Sequence, residues 1–397
     1  MMNLFSEEMR RNPYPAYAQM RESSPVFHHE GFGIWMIFNF DGVRRALMDH
    51  DAFSSDLSHV PGTGNPGEWF IFFDPPRHTK LRALISKAFT PRVVADLEPR
   101  IRELSRQLLD EVVPRGEMDL ATEFSVPFPM LVIAELLGMP VAEWPRYKRW
   151  SDVILKLANT FSRDEESAVA VAEYRAVTAE MREFLPELIA QRRAARQDDL
   201  LTRLVEAEVD GEHLTADEVL GFVQLLLVAG QETTANLLNN AVLCLMENPD
   251  QLARLRAAPD LLPTAIEEVL RYRSPIQWMP RATRRDIEMQ GQLIPAGKLV
   301  LPIIGSANRD ARQFPDPDRF DISRDPNPHI AFGHGIHSCL GAPLARMEAR
   351  IGLTYFLERV EKFELASDEP WEPRKALQVY GPSRLPIRFK PTSRAVS

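Results

Sequence analysis

The amino-acid sequence predicts a mainly α fold of the α+β class, a single helix-rich domain over residues 1–397 with a smaller β-rich portion. Three observations carry this expectation. Apolar residues recur at helical spacing through most of the middle of the chain, and only 32–40, 286–304 and 378–389 read as strands with turn punctuation. The β-rich portion is therefore expected at about 25–40, 286–304 and 378–389. At 397 residues and 45% hydrophobic content the chain can bury a large core. No linker, internal repeat or low-complexity segment divides it, because the Pro/Gly-rich stretch 61–67 is short.

Taken in chain order, the first element with chemical content is Asp74-Pro75-Pro76-Arg77-His78-Thr79-Lys80-Leu81-Arg82, a helix entry in which His78 and Arg82 stand four residues apart and share a face. Thr215-Ala216-Asp217-Glu218 then reads as a capping box. The helical pattern it opens runs to about Glu247, with Pro249 beyond, giving roughly 30 residues and about 45 Å, enough to cross the molecule. This helix is apolar over 219–228 and 237–245, but Ala229-Gly230-Gln231-Glu232-Thr233-Thr234 interrupts its middle. A carboxylate in an apolar helix requires a partner or a function. From the residues alone, one reading is that Thr233 back-bonds to the Ala229 carbonyl and bends the helix while Glu232 reaches solvent or a partner; the other is that the pair is functional. Cys244, in the second apolar run, reads as a buried, inert cysteine. In Glu267-Glu268-Val269-Leu270-Arg271, Glu268 and Arg271 share a helix face, an arrangement that is commonly a solvated surface pair.

The run Phe332-Gly333-His334-Gly335-Ile336-His337-Ser338-Cys339-Leu340-Gly341 is the most informative. Its glycines permit backbone conformations closed to other residues, and Ala342-Pro343 opens a helical pattern through Leu344, Met347, Ile351 and Phe356. Cys339 thus sits at a helix N-terminus, where the dipole and unpaired N–H groups favour the thiolate, the form that binds metal. Three readings of Cys339 stay open at this point. Zinc held by His334, His337 and Cys339 falls short of the usual four structural ligands and lacks a CxxC pair. A buried, inert cysteine is the second reading, and a single axial thiolate on haem iron is the third.

The loop resembles the cytochrome P-450 (haem-thiolate monooxygenase) family, whose pattern F-x-x-G-x-H-x-C-x-G is matched by Phe332, Gly335, His337, Cys339 and Gly341. Four further matches follow the family's order, and the resemblance covers nearly the whole chain, from Asn12-Pro13-Tyr14-Pro15 to the final strands. Ala229-Gly230-Gln231-Glu232-Thr233-Thr234 fits A-G-x-[DE]-T-T, which in that family flanks bound dioxygen. The resemblance implies catalytic roles for Glu232 as a proton relay and Thr233 as a hydrogen-bonding alcohol, with small Ala229 and Gly230 leaving room over the haem. It implies that Glu268 and Arg271 form an E-x-x-R pair completed by Arg319 of Pro317-Asp318-Arg319-Phe320, a structural brace for haem retention. It also implies that His78, Arg82, Arg281 and His337 contact the haem carboxylates, which need neutralising if the porphyrin is buried. Cys339 is then the metal ligand of heme b (iron protoporphyrin IX).

What the resemblance implies for activity is insertion of one atom of dioxygen into C–H bonds of a lipophilic small-molecule substrate. The regions that line family pockets are apolar here, represented by Phe70, Phe72, Leu225, Val228, Ile276, Gln277, Met279, Val379 and Tyr380, which points to fatty acids, terpenoids or steroids. Gln277 or Tyr380 is expected to orient a polar end, under a lid formed by the helical pair around 150–193. A peroxide-driven peroxygenase replaces the Glu-Thr pair, and a non-catalytic haem sensor has little use for it, so Glu232-Thr233 favours a reductase-fed monooxygenase. No GxGxxG fingerprint is present, so electrons are expected from NAD(P)H through a ferredoxin or flavodoxin-type donor. From Arg77 to Arg92 there are five Lys or Arg residues and no acid, which reads either as a solvated face or as Lys80, Lys87 and Arg92 steering an acidic donor.

Composition excludes several other classes. Two cysteines provide no disulfide framework and suit a reducing compartment. A net charge of −9 argues against nucleic-acid binding. No apolar run approaches the length of a membrane span and the polar start 3–11 lacks a signal peptide, so a cytoplasmic monomer without a membrane anchor is expected.

Overall fold

The computed structural model describes residues 6–60, 67–158 and 165–392. All of the stretch 61–67 except Gly67, and the join between the two helices expected to form a lid, lie outside these residues.

A single helix organises the molecule. Ala216–Glu247 is continuous over 32 residues, and its capping box is formed in full. Thr215 Oγ1 accepts from the Glu218 amide at 3.2 Å and the Glu218 carboxylate accepts from the Thr215 amide at 2.9 Å. Both apolar runs are buried, because helices surround it: Pro127–Leu137, Trp144–Ala158, Leu262–Tyr272 and Ala342–Arg359 all pack against it. Pro127–Leu137 is apolar on every face and buries every residue except Glu135, as a helix enclosed on all sides must. The expected lid pair is Trp144–Ala158 and Glu165–Ala194, two helices packed on each other and on the central helix.

The β structure lies to one side. Five short strands pair in the order Val26–His29, Ile34–Ile37, Leu299–Pro302, Arg281–Thr283, Phe53–Ser54, and only the contact between Ile34–Ile37 and Leu299–Pro302 is parallel. This sheet has its own apolar cluster, in which Val43 and Leu47 of the helix Phe40–Met48 pack with Ile37, Val300 and Phe53. A second sheet joins Val360–Leu365, Pro386–Pro391 and Glu117–Asp119, and Glu372–Pro373 pairs with Pro382–Arg384 in a separate hairpin. The expected strand regions are real but subdivided: 286–304 holds the hairpin Ile287–Met289 and Gln292–Ile294 as well as Leu299–Pro302. Turn residues decide the breaks, with Gln290 and Gly291 both at positive φ.

Candidate functional site

The cysteine loop is held in a tight turn before the helix Ala342–Arg359. Gly333 and Gly335 adopt φ of +74° and +76°, where a side chain would be strained, and the Cys339 amide donates back to the Phe332 carbonyl at 2.8 Å. Gly341 caps the helix, and a Cβ there would stand 4.0 Å from Cys339 Sγ. Burial pushes the Cys339 thiol up, opposed by the amides of Gly341 and Ala342 and by the Arg82 and Arg346 guanidinium groups. Cys339 is nonetheless accessible. Cys244 behaves as read: it is fully buried, and burial pushes its thiol up to about 12. Among the described residues no three His, Cys, Asp or Glu side chains gather to hold a metal ion, which removes the zinc reading.

Beside the loop stands a group of buried bases with few partners. His78 and His337 lie with ring centroids 4.1 Å apart and their planes tilted by 50°, and neither His78 nitrogen has a hydrogen-bond partner. His337 Nε2 meets Ser55 Oγ at 3.0 Å, while its Nδ1 is unpartnered. Arg281 is 4% exposed, and its Nη1 donates to the Pro280 carbonyl at 2.8 Å. Arg82 reaches the Ser338 carbonyl at 2.8 Å. Burial, then repulsion from neighbouring bases, lowers His78 to about 4 and His337 to about 3, while burial alone lowers Arg281 to about 10 against the attraction of Asp74. Asp74 is engaged elsewhere, by Ser54, the Ser55 amide and Arg284. His78, His337 and Arg281, with Arg82 nearby, form a basic cluster whose acidic neighbour Asp74 is bonded to other groups, an arrangement suited to a ligand with carboxylates.

On the central helix, Leu226, Ala229, Gly230 and Thr233 form one stripe that the protein leaves partly or wholly uncovered, although the rest of the middle of the helix is buried. Thr233 Oγ1 donates to the Ala229 carbonyl at 2.6 Å, the local back-bond that its position permits. Glu232 is 4% exposed and lies 3.0 Å from Arg374 Nε, so it reaches a partner instead of solvent. Gly230 corrects an expectation: a Cβ there would come within 2.6 Å of Ile133 Cδ1, so its smallness serves helix packing as well as open space.

The brace behind the loop also differs from expectation. Glu268 and Arg271 are both 0% exposed and bond through Nε and Nη2 at 2.7 and 2.8 Å. The third member is Arg324, whose Nε lies 3.2 Å from both Glu268 oxygens, and not Arg319. The Arg319 side chain is 64% exposed and only its backbone carbonyl enters, accepting from Arg271 Nη2 at 3.1 Å. The turn at Asp321, where the Arg324 amide bonds the Asp321 carbonyl, points the later arginine inward. Glu267, unremarked in the sequence, takes Arg346 at 2.7 Å and His329 at 3.0 Å, and Arg346 lies 4.5 Å over the Phe332 ring. This ties the helix Leu262–Tyr272 to both ends of the cysteine loop. An i,i+3 acid pattern could not reveal it, because both partners are distant in sequence.

A family model for cytochrome P450 matches residues 1–385. The chain belongs to the cytochrome P450 family. It is 42% identical over 372 residues to a putative cytochrome P450, YjiB, of Bacillus subtilis, covering 94% of this chain and 93% of that one. Among solved structures it is similar to CYP109Q5 from Chondromyces apiculatus, with a TM-score of 0.89, 40% identity and 98% of each chain covered. It is also similar to CYP109E1 from Bacillus megaterium in complex with testosterone, with a TM-score of 0.86, 39% identity, and 95% and 99% of the two chains covered.

P450 proteins bind heme b and receive electrons originating from NAD(P)H through redox partners. The residues present fit that group: an accessible sulfur in a glycine-built loop, an uncovered stripe on the long helix, and buried bases suited to two carboxylates. The predicted substrate residues of this P450 are less unified. A cavity of about 280 Å³ is lined by Gln277, Val379 and Tyr380 together with Tyr17, Met36 and Leu301, and the other six predicted residues do not line it. Phe70 stacks on His78 and packs at a tilt against Phe222, while Ile276 pairs with Val379 across an isolated bridge. Phe72, Leu225 and Val228 belong to the main apolar cluster, and Met279 packs on the sheet cluster. The Tyr380 hydroxyl donates its proton to the Arg11 carbonyl at 2.8 Å, which leaves it only as an acceptor toward a ligand. Lys80, Lys87 and Arg92 are also engaged, with Glu212, the Glu208 carbonyl and Asp96 respectively. Among the described residues no helix is long and apolar enough to cross a membrane.

Proposed function

We propose that this P450 monooxygenase inserts one atom of dioxygen into C–H bonds of a lipophilic substrate, of the fatty-acid, terpenoid or steroid class. Cys339 would ligate the haem iron, His78, Arg82, Arg281 and His337 would hold the haem carboxylates, and Phe332, Gly341 and Ala229 would leave the porphyrin its space. The observation that carries this reading is the pair His78 and His337, with unpartnered ring nitrogens, beside an accessible Cys339. When bound, haem supplies the activation of dioxygen. The protein's own contribution is to neutralise the carboxylates, to keep water from the apolar walls and to move protons. Thr233 lies on the uncovered stripe and orients a proton donor there, while neighbouring Glu232 relays protons toward it from the surface. The apolar substrate class is supported by the testosterone in the CYP109E1 relative. Electrons come from a ferredoxin or flavodoxin-type donor, consistent with the absence of a GxGxxG fingerprint, and the enzyme works as a single-domain monomer in the cytoplasm.

The test is the absorption spectrum of dithionite-reduced protein under carbon monoxide, beside Cys339→Ser. A strongly red-shifted Soret band that the mutation abolishes is the expected result. A band unmoved by the mutation removes Cys339 as the ligand. For substrate class, a spectral-shift screen in which only polar compounds bind overturns the lipophilic assignment.

A further inference from the structure

One face of the five-stranded sheet carries a cavity of about 280 Å³. Ile34, Met36, Leu299 and Leu301 alternate along two paired strands and line it, and Met36 stands opposite Leu301 in the register. The intervening residues Trp35, Ile37 and Val300 turn to the other face, into the sheet's own apolar cluster. Arg281 pairs with Val300 in the register, so its side chain belongs to that second face. The cavity is therefore a place apart from the basic cluster beside Cys339.

Two cations, Arg10 and Lys298, stand in the lining, and no Asp or Glu does. Arg10 Nε is buried and makes no hydrogen bond. Lys298 is exposed and follows the turn at Gly297, where φ is +71°, so it stands where the cavity meets solvent. Among the described residues neither cation enters an ion pair, whereas the neighbouring Arg11 is paired with Glu7. The segments 1–5 and 61–66, which flank the lining in sequence and lie outside the described residues, contain no acid. In a chain with 56 Asp and Glu against 47 Lys and Arg, two cations without an acid in one cavity wall call for an anion from outside.

The rest of the wall narrows the chemistry of that anion. An inorganic ion would pair with the cations but leave the apolar sheet face uncovered. A neutral lipid would cover that face but leave the Arg10 guanidinium unpaired. A carboxylate on an aliphatic chain does both, because its two oxygens match the guanidinium fork while the chain lies on the strands. The volume is just below the range of about 300–1,000 Å³ usual for small-molecule sites, which suits a single chain of medium length.

We propose that this cavity binds an amphipathic carboxylate, a medium-chain fatty-acid anion, with the carboxylate held by Arg10 and Lys298 and the chain laid along Met36 and Leu301. The site is independent of which substrate is oxidised at the haem.

Equilibrium dialysis of radiolabelled dodecanoate against the haem-loaded, full-length protein measures its affinity, and circular dichroism confirms that each variant is folded. Arg10→Met is expected to weaken binding about 10-fold, the loss of one charge-assisted hydrogen bond. Lys298→Met, at an exposed cation, is expected to weaken it about threefold, and Arg10→Lys less than Arg10→Met. Dodecan-1-ol, with the same tail and no charge, should bind wild type at least 10-fold more weakly and respond to neither substitution. Arg115→Met removes a cation paired with Glu123 outside the lining and should leave dodecanoate binding unchanged. A Soret titration with dodecanoate is expected to keep the same midpoint in Arg10→Met as in wild type, because the site lies apart from the haem. Dodecanoate held equally by wild type, Arg10→Met and Lys298→Met overturns the site. Dodecan-1-ol bound as tightly as dodecanoate overturns the carboxylate assignment.

Discussion

Replacing Arg324 tests the revised brace most directly. In Arg324→Met the side chain keeps most of its apolar bulk but loses its charge and all five donors. Glu268, 0% exposed, then loses both 3.2 Å contacts from Arg324 Nε. The carbonyls of Pro315, Asp316 and Arg319 lose donors at 2.7, 3.1 and 3.1 Å. Removing one partner from a buried ion pair costs about 3–5 kcal/mol. Glu268 retains Arg271 at 2.7 Å and the Asp321 amide at 3.0 Å, which places the cost near the lower end, about 3 kcal/mol. That is a factor of more than about 100 in the folding equilibrium. Arg319→Ala supplies the control, because the side chain is 64% exposed and faces Asp321 at 4.0 Å, a contact of about 0–0.5 kcal/mol. The backbone carbonyl that Arg271 uses survives that substitution. Urea unfolding followed by circular dichroism, with haem absorbance recorded in parallel, measures both variants. An Arg319→Ala protein destabilised as much as Arg324→Met, or an Arg324→Met cost below about 1 kcal/mol, would refute the assignment.

Arg281→Met should release haem about 10–100-fold faster, the loss of one charge-assisted hydrogen bond in a buried site, measured by transfer of haem to apomyoglobin; a rate equal to wild type would remove Arg281 from the carboxylate site. Stability at low pH should depend on Glu267. Burial pulls its carboxyl upward, but hydrogen bonds from Arg346 and His329 prevail and hold it down at about 2. Because the folded value lies below the unfolded value of about 4.3, the contribution is complete above pH ~4.3 and disappears as the pH falls to about 2. With the side chain 29% exposed, about 2 kcal/mol is expected. Melting temperatures of wild type and Glu267→Gln should therefore converge across that window, and a gap that stays constant with pH contradicts the pairing.

Local chemistry was legible from the sequence wherever the relevant atoms are within about one helical turn of each other. The Thr215-to-Glu218 capping box, the Glu268-to-Arg271 pair and the Thr233-to-Ala229 back-bond are all contacts of this kind, and all three are made. The glycines around Cys339 belong with them, since their backbone geometry is a local requirement. Long-range choices were not legible. Two arginines, Arg319 and Arg324, share one loop, and a motif cannot say which of them a turn points inward. Tyr380 looked available in an apolar segment until the N-terminal segment supplied the Arg11 carbonyl.

The sequence by itself determined the family, the capped central helix and the Glu268-to-Arg271 pair, because each depends on residue type at short spacing. Only the tertiary structure decided which cation Glu232 faces, which arginine completes the brace, and that Glu267 ties two helices to the cysteine loop. A buried charge takes the partner that packing brings within about 3 Å, and that partner is set by how distant segments dock, not by the residues beside it in the chain.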